Sequence, residues 1–325
     1  MKLRRSLAAA ALLWPALLAG SLAHAQGFPN RPLKIIVPFD PGTGSDVLAR
    51  TIGERLADSL GQPVVIDNRE GAGGVLGAKA ALAAKADGHT LMMAANPFVV
   101  SPGLYDTPPY DPLNDFLPLL RVAIVPNVLV VGAKLPAQSL TELIALAKAS
   151  PGQLTYASSG KGTPSELEME LLKSTYGFDM IEVPYKSGAQ AIMDVIGGRV
   201  AAYYLTLPAA LPHIKAGKVR ALGVGSAQRA PSAPDIPTMA EALAAPGYEA
   251  HTWYGFVAPA GTPREAAARL RADILKAMGT PEVQARAAQL GAEIVTGTPE
   301  DFARLMRGEH DKWTRLVKAI GMKAD

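Results

Sequence analysis

Two glycine-rich stretches carry residue types suited to holding an anion. The first, Asp40-Pro41-Gly42-Thr43-Gly44-Ser45-Asp46, follows the apolar run 33–37, which reads as a buried strand. It precedes a segment whose apolar residues at 48, 52 and 56 share one helical face. The second, Ser158-Ser159-Gly160-Lys161-Gly162-Thr163-Pro164-Ser165-Glu166, follows the strand-like run 154–157. There Thr163 reads as a cap, Pro164 as the first helical residue and Glu166 as the third. Strand, small residues and helix start, in that order, aim free backbone N–H groups and the positive end of a helix dipole at one spot. Such a spot binds a carboxylate without a charged side chain. The pattern alone is equally compatible with tight βα turns that need permissive glycine angles. Phe39, at the strand's end, suits a pocket wall. Asp46 suits a helix cap, because its carboxylate would repel an anion. Lys161 suits a solvated loop lysine rather than a ligand partner.

Other chemistries find little support. Gly160-Lys161-Gly162-Thr163 lacks the earlier glycine of a phosphate loop. Histidines at 89, 213, 251 and 310 are too scattered for metal-ligand spacing and read as surface or core residues. Asp106, Asp111 and Asp115 miss a calcium-loop register. No Gly-x-Ser-x-Gly elbow or Ser/His/Asp set can be assembled. Neither a cofactor nor a metal is expected. The absence of cysteine excludes disulfides and thiolate sites.

Residues 1–25 read as a signal peptide. Lys2, Arg4 and Arg5 precede the apolar run 7–22, and Ala23-His24-Ala25 supplies a cleavage pattern. Gln26 follows the cut, so lipidation on an N-terminal cysteine is excluded, and a soluble exported protein is expected. The segment holds three of the 32 basic residues and none of the 29 acidic ones, leaving 29 against 29. That balance removes the electrostatic case for nucleic-acid binding.

The elements that position the two loops alternate between strand and helix. Residues 64–66, 90–94, 122–131, 154–157, 181–183, 200–205 and 219–224 read as strands. Helices are expected from residue 71 to about 86, after 139, after 163, over 188–196 and over 208–215. Three more open near Thr262, Pro281 and Thr298. Residues 96–119 read as a long loop, 231–237 as a proline-rich linker, and 253–258 as a strand returning to the first unit. Trp253 and Tyr254 suit either the cleft or the core. The alternation predicts mostly parallel sheets with helices on both faces.

Several spaced motifs carry a family resemblance. They include Val37-Pro38-Phe39, Gly61-Gln62-Pro63-Val64-Val65, Gly71-Ala72-Gly73-Gly74, Asp87-Gly88-His89-Thr90-Leu91, Tyr156-Ala157-Ser158-Ser159-Gly160, Val183-Pro184-Tyr185-Lys186 and Leu211-Pro212-His213-Ile214-Lys215-Ala216-Gly217-Lys218. Together, from Phe28 to Asp325, the chain resembles the Bug receptors, the periplasmic binding subunits of tripartite tricarboxylate transporters. The resemblance implies an α/β, two-lobed, type II-like periplasmic binding protein with two mostly parallel sheets joined by two crossing strands. Lobe 1 would comprise residues 27–125 plus 253–325, and lobe 2 residues 126–252.

It further implies a small carboxylate held between the lobes, contacting Phe39, Pro41, Gly42, Thr43, Gly44, Ser45 and Ala95 from lobe 1. Lobe 2 would contribute Ser158, Ser159, Gly160, Lys161, Gly162, Thr163, Leu205 and Thr206. A monomeric, non-enzymatic periplasmic receptor would pass the acid to inner-membrane permease subunits. A carboxylate sensor signalling to a membrane kinase is the alternative. Two departures stand out. The family's adjacent glycines are here Gly42-Thr43-Gly44, and the acidic and amide residues common before the second-lobe Leu-Pro are here Tyr203-Tyr204-Leu205-Thr206. A missing pocket carboxylate disfavours an amino-acid ammonium and points to an acid with an uncharged or aromatic tail.

Overall fold

The computed structural model describes residues 27–323; the expected signal segment 1–25 lies outside them. The chain runs β1 (Leu33–Val37), α1 (Gly44–Leu60), β2 (Val64–Asn68), α2 (Val75–Leu82), β3 (Thr90–Ala95), α3 (Asn96–Val100), β4 (Phe116–Gly132) and α4 (Leu140–Ala149). It continues through β5 (Thr155–Ser158), α5 (Pro164–Tyr176), β6 (Ile181–Pro184), α6 (Gly188–Ile196), β7 (Ala202–Thr206), α7 (Leu207–Lys215), β8 (Val219–Val224) and α8 (Met239–Leu243). It closes with β9 (His251–Pro259), α9 (Arg264–Met278), α10 (Pro281–Gln289), β10 (Glu293–Ile294) and α11 (Pro299–Ile320).

Strand pairing divides these elements into two sheets that share β4. In one, β1 lies parallel between β2 and β3, and β9 joins β3 to the first half of β4. In the other, β5 lies parallel between β6 and β7, and the second half of β4 pairs with β7 and β8. All pairing to β4 and β9 is antiparallel, because these strands traverse the molecule while the others belong to βαβ units. Each sheet therefore joins a parallel βαβ part to antiparallel pairing along β4, and is mixed overall. The handover falls at one peptide: Pro126 pairs with His251 of β9, and Asn127 pairs with Thr206 of β7. A proline without a donor is tolerated where a ladder ends, so β4 passes through Pro126 unbroken.

Both faces of each sheet are covered, which explains why the strands read as continuous apolar runs. Ile35 and Val37 face α1, α9 and α10, whereas Ile36 faces α2, α3 and α11. Leu129 and Val131 join the core under α4, α5 and α8, while Val128 and Val130 join the one under α6 and α7. The expected loop 96–119 is a correction. It holds α3, a 3-10 turn at Ser101–Leu104 and the start of β4. Pro97 and Pro102 occupy the opening positions of those two short helices. Phe98, Tyr110 and Phe116, with ring centroids 4.9–5.9 Å apart, then bury the segment.

Gly225 marks the tightest approach near the crossover. Its N–H donates to Asn127 O at 2.8 Å, and its carbonyl accepts from Ala250 N at 2.9 Å. A Cβ there would lie 1.6 Å from the Ala250 carbonyl oxygen. Backbone cannot yield as a side chain can, so Gly225→Ala is expected to cost about 2–3 kcal/mol. Denaturant titration reads this as a lower midpoint with an unchanged slope; an unaltered midpoint would contradict the tight packing.

Candidate functional site

The two loops fold into near copies of one another. Gly42-Thr43-Gly44-Ser45-Asp46 and Gly162-Thr163-Pro164-Ser165-Glu166 share the order glycine, threonine, any residue, serine, acid. Gly42 (φ +85°) and Gly162 (φ +70°) adopt left-handed angles that a side chain would strain. Gly42 N donates to Asp46 Oδ2 at 2.9 Å, and Gly162 N to Glu166 Oε2 at 2.6 Å. Thr43 Oγ1 donates to Asp40 O at 2.8 Å, and Thr163 Oγ1 to Gly160 O at 2.6 Å. Each threonine hydroxyl also lies 3.1–3.2 Å from the serine hydroxyl two residues on. Thr43 and Thr163 are the residues preceding α1 and α5, but their hydroxyls brace the turn instead of capping the helix. The first amides of α1, at Gly44, Ser45 and Asp46, lack helical acceptors, as does Ser165 N in α5.

Electrostatics differ between the copies. Burial raises the Asp46 pKa, but hydrogen bonds from Arg50, Gly42 N and Asn68 outweigh it and hold the carboxyl below its usual range. Arg50 lies 3.0 Å from Asp46, and Asn68 Nδ2 donates at 2.9 Å, so this carboxylate is neutralised locally. Glu166 has no arginine. Burial, then the Glu182 charge, push it up to about 7 against the bond from Gly162 N and the charge of Lys161. Neither acid points a strong negative field at the space between the loops.

That space is a cleft of about 730 Å³. Of the residues expected from sequence, Phe39, Thr43, Ser45, Ala95, Ser159, Thr163, Leu205 and Thr206 line it. Pro41, Gly42, Gly44, Ser158, Gly160, Lys161 and Gly162 do not. The N–H groups of Gly42 and Gly162 are committed to acids within their own turns. Gly44 leaves room for the Tyr254 hydroxyl, which a Cβ would approach to 3.0 Å. Ser158 is fully buried and donates to Glu182 Oε1 at 2.5 Å, because alternate residues of β5 face opposite ways. Its hydroxyl also accepts from Gly160 N. Lys161 points to solvent and reaches Glu166 at 3.7 Å.

Sequence reasoning missed much of the wall. Ser165 follows from the shared pentad, a signal present in the chain. Asn127, Tyr203 and Thr252 come from three separate strands, and Ile192 and Met193 from α6. His213 of α7 also lines the cleft, a correction to its reading as surface or core. Tyr254 lines it too, its phenol pushed up to about 12 by burial, whereas Trp253 packs edge-on against Phe302 in the core. Among the described residues no Lys, Arg, Asp or Glu lines the cleft. None of their His, Asp or Glu residues form a group able to hold a metal, and none of their helices is long and apolar enough to cross a membrane.

The profile described as the tripartite tricarboxylate transporter family receptor matches residues 48–322. Protein BugT of Bordetella pertussis is 39% identical over 301 residues, covering 92% of each chain. An R. palustris protein solved with adipate is 36% identical, with a TM-score of 0.76 over 91% of this chain and 99% of that one. MatC of Rhodopseudomonas palustris, solved with bound malate, is 31% identical, with a TM-score of 0.75 over 89% of this chain and all of that one. The match spans nearly the whole described fold, and these relatives are binding proteins, not enzymes; the chain belongs to the tripartite tricarboxylate transporter receptor family and is a periplasmic-type solute-binding protein of two α/β lobes.

Proposed function

We propose that the protein captures a small carboxylate in the interlobe cleft and delivers it to membrane permease subunits. One observation carries this reading: two matching helix starts face a single cleft that, among the described residues, no Lys, Arg, Asp or Glu side chain lines. Amides of Ser45 and Ser165, with the Ser159 hydroxyl, are the groups suited to the acid's oxygens, while the Thr43 and Thr163 hydroxyls spend their protons within the turns. The relatives solved with adipate and malate support a carboxylate. Phe39, Ala189, Ile192, Met193 and Tyr203 form an apolar and aromatic wall, which favours an uncharged body behind the carboxylate. Lobe limits of 27–125 plus 253–325 and 126–252 accord with the change of pairing at Pro126 and Asn127. Bending of β4 and β9 there would open and close the cleft around the acid. Export to the periplasm by residues 1–25, and action as a monomer, complete the proposal.

Thermal unfolding of the mature chain with mono-, di- and tricarboxylates, aliphatic and aromatic, tests it. An acid at a hundredfold over its dissociation constant should add roughly 2.7 kcal/mol. A panel in which no acid raises the midpoint would sink the assignment.

A further inference from the structure

We propose that Asn127, at the floor of the cleft, is a specificity-determining residue, and that the Glu168 side chain beneath it decides whether the ligand meets a donor or an acceptor. The inference rests on the carboxylate reading above. Asn127 sits on β4 at the crossover, is 3% exposed and lines the cleft. Its Nδ2 donates to Glu168 Oε1 at 2.6 Å and approaches Thr252 Oγ1 at 3.5 Å, which leaves Oδ1 for the cleft. Glu168, one turn beyond Ser165 on α5, is 1% exposed, and its Oε2 has no hydrogen-bond partner among the described residues. The pocket carboxylate missing from the Tyr203–Thr206 segment thus has a counterpart one layer below the cleft.

Two arrangements of this pair follow from donor and acceptor chemistry. An ionised carboxylate only accepts, so it fixes the amide NH₂ inwards and the amide oxygen towards the cleft. A carboxylate ligand meets repulsion there, whereas a ligand hydroxyl finds an acceptor. A protonated Glu168 can donate its O–H to Asn127 Oδ1 as well as accept, so the amide is free to turn its NH₂ to a carboxylate ligand. The Thr252 hydroxyl donates or accepts and serves either arrangement. No covalent bond changes; one proton moves onto Glu168.

The surroundings poise this proton near neutrality. Burial pushes the Glu168 carboxyl up to about 8, against the Asn127 bond and the Lys312 charge and with the Glu309 charge. Lys312 and Glu309 of α11 pair with each other at 2.5 Å. Tyr204 of β7 and Tyr248 before β9 face the same interior with phenols kept neutral by burial. His251 of β9, near Glu249, Glu309, Lys312 and Arg121, is held below its usual range by burial. On α5 itself, Glu170 is engaged by Tyr156 and Lys173, and Glu166 by Gly162 N.

Adipate and malate are the probes, titrated calorimetrically between pH 6.5 and 9.5. For wild-type protein, adipate affinity should fall about tenfold across this range, with net uptake peaking at about half a proton per adipate between pH 8 and 9. Glu168→Gln keeps a donor available to Asn127 at every pH, so that a carboxylate ligand can select the outward NH₂; at pH 9.5 it should bind adipate as tightly as wild type does at pH 6.5. A merely structural role for Glu168 cannot produce that gain. Malate, whose hydroxyl suits the acceptor arrangement, should lose less affinity than adipate at high pH. Asn127→Ala should bind weakly and without pH dependence, which covers failure of the glutamine variant to fold. His213→Gln in each background isolates the cleft histidine. A pH dependence that survives Glu168→Gln, or vanishes with His213→Gln alone, overturns the inference and leaves the carboxylate reading intact. Failure of both probes to bind at any pH overturns this inference, and failure of the whole carboxylate panel as well removes that reading with it.

Discussion

Replacing Gly42 or Gly162 with valine is expected to weaken capture of the carboxylate that the thermal panel selects by about a hundredfold while costing about 1–2 kcal/mol of stability. Both glycines hold φ values that a β-branched residue strongly resists. Neither faces the ligand, so the loss is indirect. Each turn would relax, its N–H would leave Asp46 or Glu166, and the following amides and hydroxyls would swing off target. One or two charge-assisted hydrogen bonds, worth about 1.5–3 kcal/mol each, account for the factor. A Cβ at Gly42 meets nothing within 4 Å, and one at Gly162 meets only the flexible Leu104 side chain at 3.0 Å, so the fold survives. Calorimetric titration beside thermal unfolding separates the two effects. Affinity for that acid within twofold of wild type in both variants would remove the turns from the site.

Stability is expected to peak at mildly acidic pH and to decline, on the order of a few kcal/mol, as pH rises from about 5 to above 8. Glu166 and Glu168 drive this decline. Their folded-state values, about 7 and about 8, lie above the ordinary 4.5, so the native chain binds more protons than the unfolded chain between those limits. Their stabilising contribution is complete below pH 4.5 and is lost as pH passes through 7 and 8. Asp46, Asp67 and Asp87 act oppositely: held below 3.8, they contribute above that value and lose the contribution in acid. The crossing of the two trends sets the maximum. Urea unfolding at a series of pH values gives the curve, and Glu168→Gln should flatten its alkaline limb. A wild-type limb that stays flat to pH 9 would show that neither glutamate is protonated at neutrality.

The parts of this site that were legible are those set by consecutive residues. Glycine, threonine and proline at the two helix starts dictate their own angles, so the turns could be read without knowing what surrounds them. The family resemblance extended this to the two-lobed frame. What a local reading misjudged was direction. Ser158 and Ser159 are equally plausible neighbours in the chain, yet the pleat sends Ser158 to Glu182 and leaves Ser159 at the cleft. The loop 96–119 was misread because its order comes from aromatic rings that meet only in the folded chain.

By itself the sequence determined the main alternation of strands and helices, the two turns able to present amides to an anion, and the near-neutral charge of the chain outside residues 1–25. Each is a property of short segments or of a sum over residues. Only the tertiary structure decided that the turns share one cleft, that Asn127, Thr252 and Tyr203 complete its floor and wall, and that Glu168 lies buried beneath Asn127. Those outcomes depend on strand register and helix phase, where a shift of one residue sends a side chain to the opposite face.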